Sequence, residues 1–434
     1  MSRLLILSVF LSSFLHVFTL SPALAQRESP VEYEDLEEDL EERLEDQQDQ
    51  IDILASDQMT LVETFRRFRE ALPFDFFGSL AVRHCAMANE KLDVLGNVLQ
   101  MRLSAGVRGQ VDEHWGYMLR LLSTENDSFN LSWYPFGGAP IARSPLFLDR
   151  YEIRWKAPQE GLVPAIDLRF GKSRNTLFET QLLFDEDVSF NGLQQHFTWR
   201  NSSPGNSSGT SPGTRGLQWQ KAGIELHEDV LQIEETFITA SLLAAKGVSE
   251  WATENLTLRS ALSYLHYQGT SALATQTFNT GYRGPYAVLN RTVTGTANQS
   301  TYVSDFRLLN MAATARWQPA PEWPPLSLMV DGVYNLGARD RNLGAFVGLE
   351  VGQLKQVGDM QLDYSYRWME QDYQVALFAD EFYAGNDVQG HTLSLSYLMT
   401  LKTRAIATLV TRQRITEPEL GVLTIAYLTL RQDF

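Results

Sequence analysis

The chain has 434 residues, 44% of them hydrophobic, one cysteine and a formal net charge of −17. A single cysteine excludes an internal disulfide, and an acidic chain without a basic patch excludes a nucleic-acid partner. His84 stands beside Cys85 with no further ligands at metal spacing, so no metal or other cofactor is expected, and the cysteine reads as a small apolar residue in or beside a loop.

Arg3 precedes the apolar stretch Leu4 to Leu20, and Ala23-Leu24-Ala25 follows. This is the pattern of a signal peptide over residues 1–25, cleaved before Gln26. No later segment has 18 consecutive apolar residues, so no second membrane helix is expected. Residues 27–58 carry 14 acidic and 2 basic side chains. Within 26–72 the apolar residues Leu36, Leu40, Leu44, Ile51, Leu54, Leu61 and Phe65 recur mostly at spacings of three, four or seven, which predicts a short periplasmic α-helix. Gln48 and Gln58 interrupt its seam, leaving a solvated helix and a coiled coil both open. Pro73 ends it.

From 73 to 434 the period changes to two. Leu99, Met101, Leu103, Ala105 and Val107 alternate with Gln100, Arg102, Ser104, Gly106 and Arg108, one apolar face and one polar. Ten-residue segments of this kind between turn residues are the signature of a transmembrane barrel. The expected fold is all-β: a transmembrane antiparallel β-barrel of about 16 strands. They fall near 74–83, 97–109, 115–123, 146–156, 164–172, 190–200, 216–226, 231–242, 256–267, 303–317, 326–336, 343–352, 359–369, 391–401, 404–413 and 421–433. Short turns at one end then alternate with long loops at 124–145, 173–189, 268–302 and 370–390. The Ser-, Gly- and Pro-rich stretch 201–215 falls at the short-turn end, so a strand could be gained or lost between 173 and 230.

At this width an aqueous lumen remains. Arg102, Arg108, Arg120, Arg154 and Arg169 lie opposite the apolar positions of their strands. With Lys172 they are the expected pore-lining residues, since charges on the lipid face are costly. Pairing with acids such as Glu152 and Asp167 is the other reading of the same arginines. Trp115, Tyr117, Trp155, Trp317, Trp323 and Trp368 near strand ends suit aromatic girdles.

The segment 172–192 follows Leu168-Arg169-Phe170-Gly171. Its Gly171-Lys172 pair, Asn175, Leu182-Leu183-Phe184, Asp185, Asp187 and Gly192 resemble the putative-porin family of Gram-negative bacteria. Thr176 stands where that family usually has Pro, and Lys172 where Arg is common. The resemblance implies an outer-membrane location and passive diffusion of small hydrophilic solutes or ions. Asp185, Glu186 and Asp187 are then candidates for a constriction loop folded into the lumen. A solvated loop face, or hard-oxygen binding of Ca²⁺, would use the same carboxylates.

The expected partners are outer-membrane lipids, the solutes, a homotrimer, and the barrel assembly machinery through Phe434, although Gln432 departs from the usual apolar residue. The alternative is a structural barrel whose N-terminal helix trimerises it or tethers it to periplasmic components. Catalysis is not expected: His391 and Ser394 face opposite sides of a strand, and the other histidines are scattered.

Overall fold

The structure, a computed structural model, describes residues 74–89, 94–123, 134–135, 146–177, 179–184, 188–200, 218–232, 239–276, 290–294, 300–320, 322–380, 382–383 and 385–434. The expected signal peptide and acidic helix, and the carboxylates Asp185, Glu186 and Asp187, lie outside the described residues.

The strands run β1 (Phe74–Asn89), β2 (Val94–Gln110), β3 (Trp115–Ser123), the two-residue β4 (Tyr134–Pro135), β5 (Leu146–Ala157), β6 (Ala165–Arg174), β7 (Ser189–Arg200), β8 (Gln218–Gln232), β9 (Thr239–Ala252) and β10 (Leu256–Gln268). A short helix α1 (Ser271–Gln276) and the hairpin β11 (Thr292–Thr294) and β12 (Ser300–Tyr302) occupy the next loop. The series ends with β13 (Arg307–Trp317), β14 (Leu326–Asn335), β15 (Leu343–Gly352), β16 (Met360–Met369), β17 (Val388–Thr400), β18 (Thr403–Arg414) and β19 (Leu423–Asp433).

Leaving aside β4, β11 and β12, the sixteen long strands pair antiparallel with their neighbours, and β19 returns to β1, closing the ring. Closure leaves no unpaired edge, the condition for a sheet in lipid. At the seam, Gly78 N–H donates to Phe434 O at 3.2 Å and Phe434 N–H to Gly78 O at 3.1 Å.

The period-two pattern sets which face is which. Phe170 (66% exposed), Met311 (61%), Ile153 and Leu430 point outward, and similar residues on the other strands extend them into the apolar band of a membrane barrel. Cross-strand partners share a face. Inward positions therefore include Arg83 opposite Gln100, Ser79 opposite Ser104, Glu225 opposite Lys246 and Phe346 opposite Arg367.

Three differences from the sequence reading have physical causes. The β8–β9 break falls at 233–238, not near 227–230, because Asp229 is a buried, inward strand residue. Cys85 is not in a loop; it sits within β1, buried opposite Tyr427 and Val98. Lys172 pairs with Tyr151 and Asn191, on the face opposite that of Asp167, Arg169 and Ser173. It lies near the long-loop end, where a lysine stem can reach the interface. β7 and β8 pair directly with each other, and the stretch 201–217 between them lies outside the described residues.

Candidate functional site

Two connections on the long-loop side turn into the barrel. The first runs from β6 to β7. Asn175 Oδ1 accepts the Leu177 N–H at 2.9 Å and Thr180 Oγ1 accepts that of Leu182 at 3.2 Å, local turns that these side chains favour. Leu177, Leu182, Leu183 and Phe184 are completely buried. The second connection, 370–387, buries Tyr373, Val375, Leu377, Phe378 and Tyr383. The two meet: Tyr373 OH donates to Leu182 O at 2.9 Å, and Phe378 stacks edge-on against Phe190 at 5.4 Å. A buried apolar cluster thus fills part of the barrel mouth, where an empty tube would hold water.

The root of the first connection explains its glycines. Gly171 and Gly192 are direct cross-strand partners on β6 and β7. Gly171 has φ +113°, and a Cβ there would stand 2.3 Å from Tyr151 O. Only glycine suits that backbone.

Polar anchors then carry the first connection across the lumen. Lys246 Nζ donates to Thr176 O at 2.7 Å and pairs with Glu179 at 2.6 Å. Arg259 grips the same Glu179 with Nε at 2.9 Å and Nη2 at 2.8 Å, a bidentate fork. Burial would raise the Glu179 pKa, but Arg259 and Lys246 outweigh it and hold the carboxyl below its ordinary range. Farther on, Thr180 Oγ1 donates to Asp331 on β14 at 2.6 Å. Arg367 on β16 donates to Gln181 Oε1 at 2.7 Å and pairs with Asp380 of the second connection at 3.0 Å. In the ring order β16 lies opposite β6, so the connection reaches from one wall to the other.

The sequence-predicted arginines share one wall. Arg102 and Arg108 on β2, Arg120 on β3, Arg154 on β5 and Arg169 on β6 all point inward. Arg120 is paired with Asp149, which a register break between β3 and β5 leaves without a cross-strand partner, as bulges do. Arg154 and Arg169 share Asp167. Arg108 is only loosely opposed, 3.9 Å from Asp75. On β15 and β16, across the ring from β5 and β6, Glu350 and Asp363 are cross-strand partners. Gln361 donates to both, at 3.2 and 3.0 Å. A row of arginines thus faces a carboxylate pair across the ring.

Of the expected residues within the described part of the chain, the five arginines are therefore gathered on one wall, and Lys172 is not among them. The sequence reading missed Glu179, Gln181, Lys246, Arg259, Arg367 and the whole inward fold of 370–387.

The sequence family described as "Putative porin" matches residues 36–280. Among solved structures, the high-pH form of Pseudomonas putida OprB is 11% identical, with 83% of this chain and 94% of that one aligned at a TM-score of 0.51. Salmonella typhi OmpF in complex with daunomycin is 8% identical over 83% and 97% of the two chains, TM-score 0.49. The Vibrio cholerae outer-membrane protein OmpT with loop L8 deleted is 9% identical over 83% and 99%, TM-score 0.46. The OprB likeness is one of fold. No curated protein matches the sequence.

Proposed function

This chain belongs to the putative porin family and is an outer-membrane channel of the porin type, and on that premise we propose that its bore is a slot narrowed by its own two inward connections. The observation that carries this reading is the bond from Arg367 to Gln181, which ties a connection departing from β6 to the far wall. With the apolar cluster filling the mouth beside it, solutes pass along the remaining wall, past Arg102, Arg108, Arg120, Arg154 and Arg169. Small hydrophilic solutes fit such a passage; wide or apolar ones do not.

Asp185, Glu186 and Asp187 follow directly on Phe184, so we assign them to the same constriction. Residues 1–25 are assigned to secretion and 26–72 to a periplasmic helix that assembles or tethers the barrel. Deleting 27–72 separates these roles from conduction.

The test is single-channel conductance of the folded protein in planar bilayers, with neutral polyethylene glycols of graded size as exclusion probes. The expected result is steady ohmic current and a cut-off well below that of an unobstructed sixteen-strand tube. Current with the cut-off of an empty barrel would reject the slot.

A further inference from the structure

Three sites on the inner wall repeat one unusual arrangement. Arg120 and Arg150 are direct cross-strand partners on β3 and β5. Arg154 and Arg169 are partners on β5 and β6, and Arg404 and Arg431 on β18 and β19. Like charges placed directly opposite destabilise a sheet. In each case one aspartate lies among the two guanidiniums. Asp149 pairs with Arg120 and lies 3.8 Å from Arg150. Asp167 pairs with Arg154 and stands 3.1 Å from Arg169. Asp433 accepts from Arg404 at 3.1 Å and from Arg431 at 2.9 Å.

Two guanidiniums and one carboxylate leave the triads at Asp167 and Asp433 with one net positive charge; the Asp149 triad is largely buried, and its Arg150 also donates to Ser189 Oγ at 2.9 Å. The carboxylate orients the forks and offsets part of their repulsion. It cannot cancel the field of both. Arg169 keeps a buried Nε–H with no hydrogen-bond partner among the described residues.

The triads are spaced along the passage. Arg150 and Arg154 lie four residues apart on β5, about 13 Å at the usual strand rise. Asp433 is the last residue of β19 and Arg404 the second of β18, at the short-turn end. Planar forks of this kind match carboxylate and phosphate oxygens, and fixed charge in a pore biases which ions pass.

We propose that the Arg–Asp–Arg triads at Asp167 and Asp433, whose arginines reach the lumen, form an anion track, and that the channel favours small carboxylate and phosphate anions over cations. This deepens the channel reading and rests on it. An anion meets a partly neutralised site at each step, so it is attracted without being trapped by a bare arginine cluster.

The experiment is reversal potential in planar bilayers, first under a KCl gradient and then with potassium acetate and potassium phosphate. At 0.1 M salt the expected anion-to-cation permeability ratio is about two or more. It should fall toward unity at 1 M, where the screening length shrinks to about 3 Å. Arg169→Gln and Arg431→Gln each remove one charge while leaving an arginine on the aspartate. Each should lower the ratio, the double variant should bring it to unity or below, and Arg169→Lys should preserve it. Heat-modifiable migration in SDS gels identifies the folded variants. Ohmic current with cation preference in the native protein would overturn the anion track and leave the channel standing. A ratio unaffected by salt would also overturn it, as would one unchanged in the folded double variant. A folded barrel with no current at all would take down both readings.

Discussion

Gln181 and Arg367 are joined at 2.7 Å although 186 positions separate them in the chain and the strand that launches the Gln181 connection stands across the barrel from β16. The same guanidinium holds Asp380 of the second connection and lies 4.6 Å from the Tyr383 ring centre. One arginine therefore fastens both inward segments.

Gln181→Ala removes a bond to a charged group, a loss of about 1.5–3 kcal/mol. The first connection then keeps only the longer Arg367 Nη1 bond to the Gln181 main-chain O, at 3.4 Å, on that strand. Single-channel records should show higher mean conductance and added flicker. Traces identical to the native channel would mean that the bond does not set the bore.

Arg367→Met should be far more damaging, because it strands a buried carboxylate at Asp380. Breaking a buried pair from one side costs about 3–5 kcal/mol. Guanidinium unfolding in detergent micelles should record a loss of that order. Adding Asp380→Asn should restore most of it, and no recovery would show that the arginine contributes mainly through its aromatic packing.

Gly171→Ala forces a side chain onto a backbone with φ +113°. Such conformations cost a non-glycine residue about 1–3 kcal/mol, and the contact with Tyr151 O adds to that. Lower stability in the same unfolding assay is expected, with the β6–β7 root disturbed. A variant as stable as the native protein would show that the root rearranges freely.

The Glu179 latch predicts a direction with pH. Its pKa is lowered in the fold, despite burial, by Arg259 and Lys246. The stabilisation is therefore fully present above the ordinary carboxylate range and is lost only as pH falls through the lowered folded value. Conductance should be flat from neutral pH through the ordinary glutamate range and should change below it. Glu179→Gln should show the low-pH behaviour at neutral pH. If the native channel already switched near neutrality, Glu179 would not be the group responsible.

The barrel wall was legible because alternation leaves one assignment for each strand. Leu343 to Gly352 and Trp115 to Ser123 are strands with the bounds their pattern predicts. Failures came where an inward acid mimics a turn, as at Asp229. They also came where a motif was read without its parity: Lys172 follows inward Arg169 by three positions, so it points the other way. The arginine wall was visible as polar alternation, but its partners depend on neighbours distant in sequence. The second connection was hidden. Asp372 to Asp380 encloses Val375-Ala376-Leu377-Phe378 between acids, much as Leu182-Leu183-Phe184 runs into Asp185, yet a buried loop has no period to announce it. The paired glycines at 171 and 192 were noticed as a motif, and only the fold shows that they touch.

A tube walled by a single sheet bends easily across its diameter. The β6–β7 connection, fastened at Lys246, Arg259, Asp331 and Arg367, acts as a tie-rod between facing walls, and its contact with 370–387 braces it sideways. When the surrounding bilayer is stretched or thinned, the cross-section should resist becoming oval, so permeability should stay nearly independent of membrane tension until one of those fasteners fails.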